Sequence, residues 1–200
     1  MGVKVSLGVS EFQKDKKNLI IITPANLLEV KGHKYLIGAC LILVNQGIKN
    51  FQCIFYGAGA LRTELENLVK EKKLTDYIKM LGALPHEKLI GIYKNKKVDI
   101  VILPSINTKN GEHEGIPVAL MEAMAHSIPV ISTNTGGIPE LLSDKAGVIV
   151  EEKNLKQLAI AIKKIIKNRN FREKIARKGY DRVCTDFNIR KNTKKLIKVF

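Results

Sequence analysis

Val98-Asp99-Ile100-Val101-Ile102-Leu103-Pro104, followed after a short polar stretch by His113-Glu114-Gly115-Ile116-Pro117-Val118-Ala119-Leu120-Met121-Glu122, is the part of the chain on which the fold turns. A short apolar run rich in β-branched residues and closed by proline reads as a strand buried on both faces. The segment opening at Pro117 reads as a helix. A proline at the first helical position forfeits only an N–H that has no helical partner there anyway. The two acids then stand in different settings: Glu114 precedes the Gly-Ile-Pro turn, and Glu122 sits more than one turn inside the helix. Strand, loop and helix in that order form one half of a parallel βαβ unit.

The same grammar repeats along the chain. Apolar, β-branched runs predict strands at 19–23, 51–56, 77–81, 98–103, 128–132 and 147–150. Amphipathic stretches between and after them predict helices at 32–46, 60–73, 86–95, 117–126, 137–143, 154–168, 170–184 and 189–199. Alternation of this kind implies an α/β fold: a Rossmann-like, doubly wound parallel sheet of about six strands with helices on both faces. Ligands of such sheets bind outside the carboxyl ends of the strands. Every motif of chemical interest here follows a predicted strand.

With 200 residues the chain is one domain with a real core. No apolar run reaches the roughly 20 residues a membrane helix needs, and Lys4, Lys14, Lys16 and Lys17 crowd the start without a signal-peptide core. Three widely spaced cysteines, Cys40, Cys53 and Cys184, suit a reducing, cytoplasmic setting better than a disulfide framework. The net charge of +15 is lopsided. Residues 153–200 hold 16 Lys and Arg against 3 Asp and Glu, whereas residues 1–152 hold 18 against 16. Such a basic end is attracted to an anionic membrane surface, placing the protein peripherally at the inner face of the plasma membrane. It is equally what solvated lysine-rich helix faces look like, since 28 of the 34 basic residues are Lys. Nucleic acid is a poor partner, because no recognition motif or interleaved aromatic accompanies the basic run.

Several segments together resemble the donor-binding half of a retaining glycosyltransferase of family 4, built on the two-Rossmann-domain (GT-B) plan. They are Asn26-Leu27-Leu28-Glu29-Val30-Lys31-Gly32-His33, Tyr56-Gly57-Ala58-Gly59-Ala60-Leu61, Leu81-Gly82-Ala83-Leu84, Leu103-Pro104-Ser105, the paired glutamates, and Thr135-Gly136-Gly137-Ile138-Pro139-Glu140. Their order and approximate spacing match the family over about residues 19 to 190. The resemblance implies a C-terminal GT-B half, with residues 1–18 a linker remnant, 19–185 the nucleotide-sugar domain and 186–200 a basic C-terminal helix. Met1-Gly2-Val3 and Phe12 faintly echo the family's interdomain linker. The partners it implies are a UDP-, GDP- or ADP-sugar and an N-terminal acceptor domain, with no cofactor and no metal.

Cleaving an anomeric C–O bond builds negative charge on the diphosphate, so a catalyst needs a fixed cation and aligned N–H donors there. By resemblance Lys31 is the diphosphate lysine, and Glu114 contacts hydroxyls of the transferred sugar near the reacting carbon. These two are the candidate catalytic residues. Glu122 matches the acid that binds ribose hydroxyls. An ionised carboxylate accepts paired bonds from a vicinal diol, and a lone acid on a helix otherwise apolar nearly all round is costly without a partner. Gly115, Ile116, Pro117 and Val118 form the loop-to-helix junction whose amides can point at an anion.

Asn26 stands where the family commonly has Arg, so it brings a donor but no charge. Gly57 and Gly59 permit a close backbone approach to the nucleotide, or simply a tight turn. They do not make a dinucleotide fingerprint, because Arg62 occupies the third glycine position. Resemblance puts the backbone of Leu84 against the base, with Lys88 along its edge. Gly136 and Gly137 read evenly as a structural cap or as part of the donor pocket wall. His33, His86, His113 and His126 are scattered and lack metal-ligand spacing. Two other readings stay open: a non-catalytic module docking through its basic helices on a partner subunit or membrane, and half of a nucleotide-sugar epimerase.

Overall fold

The structure, a computed structural model, describes residues 2–5 and 16–197. Most of the proposed linker remnant 1–18, Phe12 included, lies outside the described residues, as do 198–200 at the end of the last expected helix.

Six strands form one sheet: β1 (Leu19–Pro24), β2 (Phe51–Tyr56), β3 (Ile78–Gly82), β4 (Ile100–Leu103), β5 (Val130–Thr133) and β6 (Val148–Val150). Their order is β3-β2-β1-β4-β5-β6, every pairing parallel. Eight helices connect and follow them: α1 (His33–Asn45), α2 (Arg62–Glu71), α3 (His86–Lys94), α4 (Val118–Ala125), α5 (Ile138–Leu141), α6 (Leu155–Lys167), α7 (Arg169–Asp186) and α8 (Ile189–Ile197). This is the expected doubly wound sheet.

Period-two alternation sends successive strand residues to opposite faces. Ile21, Ile100 and Ile102 pack with α1, α2 and α6 on one side. Ile22, Val101 and Leu103 pack with α3, α4, α5 and α7 on the other. Both faces are thus covered, which is why β4 is apolar at every position. Each fully buried aliphatic or aromatic side chain in these layers, such as Phe55 or Leu36, contributes about 1.5–3 kcal/mol of transfer free energy.

Two expectations need correction, and the structure adds one short turn. The fourth strand starts at Ile100 rather than at 98, because the chain bends at Asp99, whose Oδ2 accepts the amide of Ile20 at 2.8 Å and pairs with Lys16. A 3₁₀ turn at Glu29–Lys31 precedes α1; three residues are too few to show a period. Pro117 is the N-cap of α4 rather than its first helical residue, with ψ 118 still extended. Its carbonyl accepts the first helical amides, from Leu120 and Met121, while the backbone just upstream is held elsewhere, as described below.

Candidate functional site

Strand order reverses between β1 and β4, so the segments leaving their carboxyl ends diverge and open a crevice. The segment after β1 is pinned on both sides. Toward β2, the amides of Ala25 and Leu27 donate to the carbonyls of Tyr56 and Ala58 at 3.0 and 2.9 Å. Toward β4, the amide of Ile106 donates to the carbonyl of Val30 at 2.9 Å. Gly32 takes φ +67, and a Cβ there would lie 1.9 Å from the Pro104 carbonyl oxygen. Only glycine lets the two segments close at this point.

The result is a direct contact across the crevice. Lys31 Nζ lies 2.6 Å from Glu114 Oε2, with the two side chains 22% and 13% exposed. Ser105, fully buried at the end of β4, donates from Oγ to the same oxygen at 3.2 Å. The Glu114 backbone is fixed from behind. Gly136 has φ +54, and a Cβ on it would sit 1.6 Å from the Glu114 carbonyl oxygen. The amide of Gly137 donates to the Gly115 carbonyl at 3.1 Å. These bonds hold Gly115 and Ile116 back and leave Pro117 as the cap. No side chain among the described residues caps α4, so the amides of Val118 and Ala119, ahead of those bonded to Pro117, remain open to an outside acceptor.

A cleft of about 210 Å³ runs along the ends of β1, β2 and β3, and neither Lys31 nor Glu114 lines it. Asn26, Tyr56, Gly57, Leu84, His86 and Leu89 are among its walls. Burial raises the Tyr56 hydroxyl pKa. Glu122, on α4, does not line the cleft but bonds one of its walls: its Oε1 accepts from His86 Nε2 at 2.6 Å. Behind it, Tyr93 is raised far above the ordinary phenol range by burial and then by the Glu122 charge. A second hollow of about 210 Å³ lies under the N-terminus of α1, walled by Glu29, His33, Glu64 and Leu65 among others. His33 is buried edge-on against Phe55, its ring nitrogens without a partner, and its pKa falls to about 4 through burial and then through Lys31.

The structure therefore brings Lys31 and Glu114 into contact and puts Asn26, Gly57 and Leu84 in one cleft; Lys31, Glu114 and Glu122 do not line that cleft, and Glu122 touches it through His86. Gly59 packs against the Leu27 backbone, and Gly136 and Gly137 pack against Glu114, Gly115 and Ile116. Val118 is exposed at the start of α4. Lys88 is exposed and does not line the cleft; His86 and Leu89 of the same helix do. Sequence reasoning missed Ser105, Tyr56 and His86. The first two stand in quoted motifs, but a buried Ser and a strand-end Tyr carry no spacing that marks them. His86 is tied to an acid 36 positions away. Among the described residues, no group of three or more His, Cys, Asp or Glu is placed to hold a metal, and no helix is long and apolar enough to cross a membrane.

Residues 9–182 match the profile of the family described as glycosyl transferases group 1. WcaL of Escherichia coli strain K12, named as a candidate colanic acid biosynthesis glycosyltransferase, is 41% identical over 142 residues, covering 70% of this chain and 34% of that protein. The amylovoran biosynthesis glycosyltransferase AmsK of Erwinia amylovora is 40% identical over 142 residues, with the same coverage of 70% and 34%. The chain thus spans about a third of the length of these curated relatives. Among solved structures, the C-terminal domain of a group 1 family protein, LpcC, from Francisella tularensis superposes with a TM-score of 0.73 at 28% identity. That match covers 86% of this chain and 87% of that one. The fold is shared with Anabaena HepE, whose structure holds UDP and glucose, at a TM-score of 0.77 and 20% identity over 92% of this chain and 48% of that one.

Proposed function

This chain belongs to the group 1 glycosyl transferases, and from that premise we propose that its crevice binds the diphospho-sugar donor of a retaining hexosyl transfer. The observation that carries the reading is the Lys31–Glu114 contact at the switch point, beside the N-terminus of α4, which no side chain caps. A compact ammonium and open helix amides suit a diphosphate. Charge accumulates on that diphosphate as the anomeric C–O bond breaks, so donors already fixed there favour the transition state. Glu114, freed from Lys31 when phosphate takes the ammonium, accepts hydroxyls of the sugar. Glu122 accepts the ribose hydroxyls, and the apolar cleft by Leu84 takes the base. Asn26 adds an uncharged donor on the phosphate side. Configuration is retained by front-face attack assisted by the leaving phosphate, with no carboxylate as nucleophile.

The acceptor side rests on the relatives. WcaL and AmsK are named for exopolysaccharide biosynthesis, which supports transfer to a growing polysaccharide, lipopolysaccharide or glycolipid. The domain contacting that acceptor corresponds to the part of those proteins this chain does not cover. The UDP and glucose held by HepE support a nucleotide-sugar partner. The reading also takes the protein to work in the cytoplasm at an anionic membrane surface. On α8, exposed Ile189, Leu196 and Ile197 accompany Arg190, Lys191 and Lys194, a pairing of apolar and basic groups suited to that surface.

Calorimetry against UDP, GDP, ADP and their hexose conjugates tests the core of the proposal. Saturable binding of at least one nucleoside diphosphate, strengthened by its sugar, is expected. A folded protein that binds none of them ends it.

A further inference from the structure

The Glu122 side chain is only 14% exposed, yet its contact is with a histidine that is 65% exposed. Leu120, Met121, Ala123 and Met124 around it on α4 are all buried. The described contacts of its carboxylate run through Oε1 alone, which accepts the His86 Nε2–H at 2.6 Å. His86 opens α3 immediately after Leu84-Pro85, so one imidazole both lines the cleft and bonds the acid. Below them, the Glu122 carbonyl accepts His126 Nδ1–H at 2.8 Å, and the His126 ring lies 5.6 Å from that of Tyr93. The backbone under Glu122 is therefore fixed, and the rotation of the carboxylate about its last bond is what His86 decides.

We infer that His86 is a positioning residue for the nucleoside: by holding Oε1 it turns Oε2 toward the cleft and selects a ribose over a deoxyribose. This rests on the donor-binding reading above and deepens it. A vicinal diol is recognised by two acceptor lone pairs in a fixed plane. A glutamate free to rotate must be ordered by the ligand, whereas one already clamped is not. The clamp acts through the Glu122 carboxylate, so the part of it that discriminates falls on the sugar hydroxyls. Among the described contacts, no other group donates to the Glu122 carboxylate.

The test compares ribo- and 2′-deoxyribonucleoside diphosphates of whichever base binds, by calorimetry on the wild-type chain and three variants. The wild type prefers the ribonucleotide by about tenfold, the worth of hydrogen bonds to a charged acceptor. Glu122→Gln reduces that preference to near unity. His86→Phe keeps the bulk but removes the donor, and cuts the preference at least about threefold. His86→Gln, whose amide N–H reaches a similar place, restores it. Preference unaltered in His86→Phe overturns the inference, and so does equal weakening of both sugars, which marks a structural role. A wild type that binds nucleotides without ribose preference also overturns it and leaves the donor reading standing. Failure to bind any nucleotide removes both.

Discussion

Lys31 and Glu114 stand 83 positions apart in the chain and 2.6 Å apart in space. Each therefore holds the other's charge in the free protein, and a ligand diphosphate must win the ammonium from the carboxylate. Glu114→Gln removes that competitor. A nucleoside diphosphate without sugar should bind it about three- to tenfold tighter than wild type at low salt, with the gain fading as salt screens the site. The extra affinity conferred by the hexose should vanish. Calorimetry at two ionic strengths reads both; a variant that keeps the sugar increment contradicts the role given to Glu114.

Lys31→Ala acts in the opposite sense. Loss of a charge-assisted contact should weaken a nucleoside diphosphate by about tenfold or more and leave the nucleoside nearly untouched. Equal loss for both ligands would show that Lys31 shapes the cleft rather than gripping phosphate.

Gly136 and Gly111 separate backbone strain from collision. Gly111 has φ +82 with nothing within 4 Å of a built Cβ, whereas at Gly136 the new Cβ would lie 1.6 Å from the Glu114 carbonyl oxygen. Gly111→Ala should cost about 1 kcal/mol, the left-handed penalty alone. Gly136→Ala should cost roughly 3 kcal/mol or more and also displace Glu114, abolishing the sugar increment. Urea midpoints with m-values give the first comparison, and donor titration the second.

His33 makes stability fall on the acid side. Its pKa is lowered from 6.5 to about 4, by burial first and by Lys31 second. The unfolded chain therefore binds the proton more readily than the folded one between those values. Stability is full above the unfolded pKa, declines as pH drops toward the folded one, and loses about 3 kcal/mol from this group in total. Carboxylates titrate over the same range, so the readout is the difference between wild type and His33→Leu in urea midpoints from pH 7 to pH 4. Parallel curves would refute the buried neutral imidazole.

Thiol reactivity should divide the cysteines. Cys40 and Cys53 are fully buried, and the Cys53 thiol is pushed up by burial and then by its hydrogen bond with Cys40. Cys184 is partly exposed. Ellman's reagent should titrate one thiol promptly in the native protein and all three in guanidinium, with the buried pair slower by about a hundredfold or more. Prompt release from all three would place the Cys40–Cys53 layer nearer solvent than the packing allows.

Much of this was legible before any coordinates, for identifiable reasons. The run Phe51–Tyr56, flanked by Lys49-Asn50 and Gly57, predicts β2 to both ends, because buried strands are marked by their own composition. The Lys-Gly pair after the first strand marks Lys31, and the apolar setting of Glu122 marks an acid in need of a partner. What escapes is whatever depends on strand order. Periodicity does not say that β4 lies beside β1, so the meeting of Lys31 with Glu114 had no local signature. Gly136 shows a further limit: a glycine signals that something approaches closely, and here the Glu114 backbone approaches it. His86 looked like one of several scattered histidines, since its meaning comes only from the packing of α3 beside α4.

The central place of β1 also dictates when the crevice comes into being. Its partner β2 emerges soon after it, but the other, β4, arrives only with Ile100 paired to Ile21 and Val101 to Ile22. During synthesis one edge of β1 must stay unpaired while some eighty residues are made, exposing a strand edge and unsatisfied amides throughout that interval. The seam at the candidate crevice therefore cannot form before β4 has been made, and the pairings of β5 and β6 follow it outward.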